Sequence, residues 1–301
     1  MQKAKATIPV YDIQSVEQVS NLRDDVVADR FAPYQQRHPH FHTPHRHLFY
    51  HMLLFTKGSG THTIDFEQFP VQRGQIYFMI PGQVHNWHFR GEADGYVVNF
   101  SEHLFRSFLS NQSYLQQFPF FRGVAKDSVV KLSANTLDQA KDIFERLIEE
   151  VQSKQQHNKD MVCIELMSLF ILISRCCANN TPKQIPEQSQ LLLYNFRKLV
   201  DEYYAEKRLP KEYAAMLYIT PNHLNALCQD LLGLSAGEVI RDRILLEAKR
   251  LLVNVSLSIS QIAYQLNFSD NSYFTKFFKK YCSMTPEEFR KSSFESAAGQ
   301  R

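Results

Sequence analysis

Between His38 and Ser101 apolar and polar positions alternate in short runs rich in Phe, Tyr, Ile and Val, separated by KGSG, QRG, PGQ and RGEADG. A period of two broken by Gly and Pro turns predicts successive strands of a small antiparallel β-barrel over about residues 30–100. Residues 1 to about 37 are mixed and polar, with a short apolar stretch near Val26 and Phe31, and carry no assigned chemistry. From Leu137 the period becomes helical. Leu137, Ala140, Ile143, Phe144, Leu147, Ile148 and Val151 share one face, with Asp138, Lys141, Asp142, Glu145, Arg146 and Glu149 opposite. The next helix, Met161 to Cys176, is apolar nearly all round and is expected to be buried. Residues 1–177 thus form one predicted domain, a barrel with flanking helices over about 101–177. Residues 178–190, ANNTPKQIPEQSQ, are polar with two prolines and no apolar period, a linker to a helical domain at 191–291 and a tail at 292–301.

Inside the helical domain one pattern occurs twice. AAMLYITPNHLNAL runs from Ala214 to Leu227 and AYQLNFSDNSYFTKF from Ala263 to Phe277, and Leu224 and Phe274 lie 50 residues apart. Each copy has a small Ala six residues before a hydroxyl (Ala214 to Thr220, Ala263 to Ser269), an apolar residue just before it (Ile219, Phe268), and a second helix after it. The small Ala lets two helices cross closely, Thr220 and Ser269 are expected to cap the second helix, and Pro221 suits its first turn. An amphipathic helix from Glu238 to Asn254, with Ile240, Ile244, Ala248, Leu251 and Leu252 on one face, joins the copies.

On these residues, and most specifically on SISQIAYQLNFSDNSYFTKFFKKYCSMTPEEFR at Ser258 to Arg290, the chain resembles the AraC/XylS family of bacterial transcription regulators. It departs from that family at three glycine positions, which are Tyr218, Asn267 and Ser283 here. Asn tolerates the left-handed backbone conformation; Tyr218 is less comfortable in it. The resemblance implies two helix-turn-helix motifs on a rigid linking helix, binding double-stranded DNA through the early exposed residues of each second helix. Those are Asn222, His223, Asn225 and Ala226 in the first copy and Asn271, Ser272, Thr275 and Lys276 in the second. Lys279, Lys280 and Arg250 are phosphate-contact candidates, while Tyr273, Phe274, Phe277 and Phe278 supply bulk and packing. The resemblance further implies an activator that works with RNA polymerase as a homodimer, the helix pair after the barrel being its interface or else an intramolecular cap.

Charge placement agrees with a DNA-facing C-terminal part. Lys+Arg and Asp+Glu balance at 19 each over residues 1–190, whereas residues 191–291 hold 14 and 11. The excess is small, so base contacts and dimerisation must supply much of the affinity. No signal-peptide core or membrane-spanning run is evident, and a cytoplasmic protein with no membrane partner is expected. The five cysteines show no CxxC spacing, which suggests neither a disulfide framework nor a zinc knuckle; Cys176 and Cys177 form a vicinal pair that is either an oxidant sensor or simply reduced.

The barrel stretch carries its own chemistry. Seven histidines (His38, His40, His42, His45, His47, His51 and His62) precede Asp65, and His85 and His88 follow. His45-Arg46-His47, the Lys57-Gly58-Ser59-Gly60 turn, Gly74 and Pro81-Gly82-Gln83-Val84-His85 resemble the cupin barrel that many AraC-like regulators carry. In metal-binding cupins a Glu follows the HxH motif; His51 stands there instead. By the period of two His45, His47 and His51 share one strand face with Phe49, Leu53 and Phe55, and His85 is a possible fourth imidazole. The cluster is either an iron, zinc or nickel site or a hydrogen-bonding wall for an organic effector. His62 and His88 are assigned to strand faces or rims, and His38, His40 and His42 to a lid or exposed loop.

The fold class is therefore α+β: a cupin-like antiparallel barrel with flanking helices, then an all-α domain with two helix-turn-helix motifs joined by a long helix. The function expected is a sequence-specific transcription regulator controlled by a small effector lined by His45, His47, Phe49, His51, Tyr77, His85 and Trp87, with Phe55 and Met79 nearby. The alternatives are a metal-dependent cupin enzyme, or a metal or redox sensor, fused to a DNA-binding module. With no nucleophile-base pattern, phosphate loop or paired carboxylates, neither catalysis nor a cofactor is expected; the metal candidates are His45, His47, His51 and His85.

Overall fold

The computed structural model describes residues 9–16, 25–38, 42–106, 108–109, 114–177, 187–253 and 257–298. The chain divides into two compact units, 9–182 and a second comprising 183–301. His40, the greater part of the expected linker (178–186) and the end of the tail lie outside the described residues. Residues 187–190 are already helical, the first turn of Glu187–Tyr203.

Among the described residues, the first unit is built on two five-stranded sheets with helices packed on one of them. One has the order β1 (Val10–Tyr11), β3 (His45–His47), β8 (Val84–Phe89), β5 (Gly60–Ile64), β6 (Glu67–Val71). The other has the order β10 (Val129–Lys131), β7 (Gln75–Met79), β4 (Tyr50–Lys57), β9 (Asp94–Phe100), β2 (Val26–Arg30). The arrangement is a cupin-like jelly roll of two facing sheets rather than a closed barrel, and its β1–β3 pairing is parallel. Strands also extend beyond the expected 30–100 limits: β1 and β2 come from the segment to which no chemistry was assigned, which also forms the short helices α1 (Ile13–Val16) and α2 (Phe31–Arg37), and β10 lies past residue 128.

Alternation along β4 explains the architecture. His51, Leu53 and Phe55 point between the sheets, where they meet Phe49, Ile64, Tyr77, Met79, Trp87 and Val97. Tyr50, Met52 and Leu54 face the other way, into a cluster with α3 (Ala134–Gln152) and α4 (Asn158–Cys177) that includes Phe144, Leu147, Leu166 and Phe170. Both faces of this sheet are buried, so β4 and β9 read as nearly continuous apolar runs. Ser133 caps α3, accepting from the Thr136 N–H at 3.2 Å.

Helix α4 is not buried all round as expected. Met161, Ile164 and Ile171 are each more than a third exposed. The charge that interrupts its apolar run is explained by α3, because the Arg146 guanidinium makes two bonds of 2.8 and 2.9 Å to the Glu165 carboxylate.

The second unit contains α5 (Glu187–Tyr203), α6 (Pro210–Met216), α7 (Pro221–Leu232), α8 (Ala236–Leu252), α9 (Ile259–Gln265), α10 (Asn271–Cys282) and α11 (Pro286–Ala298) around one core. Helices α6–α7 and α9–α10 are the two helix-turn-helix pairs, and α8 joins them through its buried Ile240, Ile244, Leu245, Ala248 and Leu252. Both turns are Schellman motifs. Ile219 N–H donates to Ala214 O at 3.0 Å and Tyr218 N–H to Ala215 O at 3.2 Å; Phe268 N–H donates to Ala263 O and Asn267 N–H to Tyr264 O, each at 2.9 Å. The residue that closes each motif is left-handed, Tyr218 at φ 56° and Asn267 at φ 55°. Ser283, at φ 60°, ends α10 as Gly233, at φ 70°, ends α7.

The second copy's turn is one residue longer, and this corrects its expected cap. Thr220 Oγ1 accepts from His223 N–H at 3.1 Å, but in the second copy Asp270 Oδ1, not Ser269, accepts from Tyr273 N–H at 2.7 Å. Ser269 occupies the added position and donates to Asp270.

Tyr218 is 96% exposed and gains little packing to offset its left-handed backbone. Tyr218→Gly should stabilise the C-terminal unit by up to about 1 kcal/mol, the strain relieved exceeding the added entropy of the unfolded chain. Urea denaturation followed by circular dichroism measures the difference.

Candidate functional site

Among the described residues, five buried histidines lie between the two sheets. His45 and His47 lie on β3, His85 and His62 on the neighbouring β8 and β5, and His51 on β4 of the opposite sheet. One strand was expected to carry His45, His47 and His51 on a single face; instead the chain crosses between sheets at Leu48 and Phe49, and the three converge from two walls. His45 and His85 are cross-strand partners with ring centroids 4.3 Å apart; His47 lies 4.8 Å from both His51 and His85. His45, His47 and His85 each offer a ring nitrogen within 4.8 Å of the others.

The polar surroundings fix the rings. Thr43 O lies 2.7 Å from His45 Nδ1 and, being a carbonyl, can only accept. His51 Nδ1 meets Asn99 Oδ1, and Asn99 Nδ2 donates to the Tyr34 hydroxyl at 3.2 Å, which orients the amide. His62, assigned to a face or rim, is fully buried: its ring stacks on Trp87 and its Nε2 lies 3.2 Å from His85 Nδ1. The 50s and 80s runs announced His51 and His85; His62, whose cross-strand partner is Trp87, could be found only from the β5–β8 register.

The other expected lining residues are there too. Phe49 stacks on His47, Tyr77 and Trp87 pack on Phe55, and Met79 is buried in the same cluster. Phe31 and Tyr34 of α2 (Phe31–Arg37) close one side. His38 and His42 line a cavity of about 20 Å³ together with His45, His51, Leu53, Trp87 and Phe89, whereas His88 is only half-buried.

Burial pushes His47, His62 and His85 well below the ordinary imidazole range, with neighbouring histidines adding to the effect. Burial also lowers His51 to about 3, against the opposing bond from Asn99. The unfolded chain takes up protons on these residues below its ordinary value of 6.5 while the folded chain does not. Stability of the N-terminal unit should therefore be full above that pH and fall on acidification, each such imidazole contributing a slope approaching about 1.4 kcal/mol per pH unit. Urea midpoints measured at neutral pH and about two units lower test the sign.

The DNA-reading candidates divide in the second unit. On α7, Asn222, His223 and Ala226 are exposed, but Asn225 is turned inward, its Oδ1 accepting from the Ala236 N–H at 3.0 Å, where it ties α7 to α8. On α10, Asn271, Ser272 and Lys276 are exposed with Thr275 half-buried, and Lys279 and Lys280 extend the same face. Tyr273, expected to pack, is 53% exposed at the position equivalent to His223, and the 50-residue offset was the signal for it. Arg250 is corrected as a phosphate contact: it is 9% exposed, with Glu247 3.7 Å away.

Known proteins share both halves of this arrangement. Residues 30–170 match the AraC-like ligand binding domain and 213–292 a helix-turn-helix domain. Over 270 residues the chain is 23% identical to the HTH-type transcriptional activator RhaR of Mannheimia succiniciproducens, covering 86% of this chain and 92% of that protein. The uncharacterized HTH-type transcriptional regulator YijO of Escherichia coli is 32% identical over 108 residues, covering 36% of this chain and 38% of its own. The crystal structure of ToxT from Vibrio cholerae aligns with 88% of this chain and 96% of its own at 13% identity, with a TM-score of 0.43. Two Schellman-closed helix-turn-helix motifs in one core, preceded by a jelly-roll ligand-binding domain, are the parts of one regulator: the chain belongs to the AraC family of transcription regulators.

Proposed function

We propose that this regulator activates transcription by binding a specific operator through α7 and α10, under the control of an effector held between the two sheets. The observation that carries the reading is the pair of capped second helices, α7 and α10, whose leading faces are open to solvent while their opposite faces share one core. Activation is supported by RhaR, which is named a transcriptional activator. RNA polymerase is then a partner and the cytoplasm the place of action; no helix among the described residues is long and apolar enough to cross a membrane. The interior histidines serve control rather than turnover, consistent with relatives that are transcription regulators.

The two reading faces are unequal. Positions occupied on α10 by Lys276, Lys279 and Lys280 are Ala226, Gln229 and Asp230 on α7. The second helix thus provides the cationic contacts, and Lys276, nearest the helix start, is placed for a guanine edge. The protein acts as a homodimer through α3 and α4, for which the exposed Met161, Ile164 and Ile171 beside the half-buried Met167 supply an apolar face.

Selection of bound sequences from random DNA, followed by anisotropy titration, tests DNA recognition. Lys276→Ala should cost about 1–3 kcal/mol on the selected site and relax preference at one base pair; equal losses on selected and random DNA would reassign Lys276 to a phosphate. Ile164→Asp with Ile171→Asp should convert a dimer to monomer in sedimentation velocity, and an unchanged mass would place the interface elsewhere.

A further inference from the structure

The cavity beside His45 and His51 measures about 20 Å³, little more than one water-sized sphere, a space on the scale of an ion or a water molecule. The interior offers a converging set of nitrogens. His45, His47 and His85 bring three ring nitrogens within 4.8 Å of one another. Ligands about 2.0–2.1 Å from a shared tetrahedral ion sit roughly 3.3 Å apart, so small ring rotations close the set.

Two tautomers are fixed by their partners. His45 donates from Nδ1 to Thr43 O and therefore carries its lone pair on Nε2. His51 donates from Nδ1 to Asn99 Oδ1, with the same consequence, and its ring lies 4.8 Å from that of His47. His85 is held at Nδ1 by His62, and its Nε2 is buried without a hydrogen-bond partner among the described residues. A metal-bound imidazole characteristically has its other nitrogen engaged in this way. A coordinated cation would give the buried His85 Nε2 the partner it lacks.

From this geometry we infer that the cluster is a site for one divalent first-row transition metal ion, held by His45, His47 and His85 with His51 beside the fourth position, and that this ion is the effector. The inference rests on the proposed effector control and deepens it. Neutral imidazoles suit zinc, iron, nickel and copper. No carboxylate belongs to the three-nitrogen set, so the ion keeps its net positive charge and draws water or hydroxide to its open position. His62 is a positioning residue that acts through His85.

The test uses the full chain, stripped with chelator, and Co²⁺ as a spectroscopic stand-in for Zn²⁺. Titration should produce visible d–d bands saturating at one equivalent and displaced by Zn²⁺. The bands should be lost in His47→Ala and in His85→Gln, but kept in His88→Ala, which lies outside the cluster. Circular dichroism identifies any variant that has failed to fold, and the unsubstituted titration stands without the variants. Zn²⁺ should change affinity for the selected DNA about fivefold or more. No saturable band and no stoichiometric zinc in the unsubstituted protein would overturn the site. Saturation without a change in DNA affinity would overturn the ion as effector. Failure to select any DNA, with the cobalt titration intact, would instead remove the regulatory reading and leave the metal site standing.

Discussion

The N-terminal unit depends on a strand that is buried on both sides. β4 pairs with β7 along one edge and β9 along the other, so its backbone groups are satisfied within the sheet and its side chains alone decide what each face meets. Tyr50, Met52 and Leu54 make the floor on which α3 and α4 pack, while His51, Leu53 and Phe55 make one wall of the interior. A one-residue slip would place His51 under apolar helices and Met52 between the sheets, exchanging a satisfied polar group for an orphaned one. The register that builds the core is thus also the register that builds the site.

Burying five imidazoles is costly, and the surrounding groups show how the cost is met. Thr43 O, Asn99 and the His62–His85 pair engage one ring nitrogen of four of the rings, and aromatic faces cover the rest: Phe49 on His47, Trp87 on His62. These partners come from separate strands and loops, so the site's geometry is a property of the whole sandwich.

In the C-terminal unit the same short-range motif is used twice and then made unequal. Schellman turns at Tyr218 and Asn267, hydroxyl or carboxylate caps at Thr220 and Asp270, and helix ends at Gly233 and Ser283 give two matching supports. Arg208 braces the second turn from just ahead of α6, donating to Asn267 O at 3.1 Å with its guanidinium over the Phe268 ring. The exposed faces carry the difference, lysines on α10 and neutral or acidic residues on α7.

Local chemistry was legible in the sequence: the strand runs with their Gly turns, the amphipathic face of α3, the repeat with its crossing alanines, and the HxH and His85 motifs. Each is written in residues close together in the chain, where periodicity and capping act. Relations between distant residues were decided only by the tertiary structure. It moved the second cap to Asp270, turned Asn225 toward Ala236, buried Arg250, exposed one side of α4 and brought His62 under His85. The physical reason is that a side chain's surroundings in a packed interior are set by partners from other strands and helices, and register and packing, not local propensity, choose those partners.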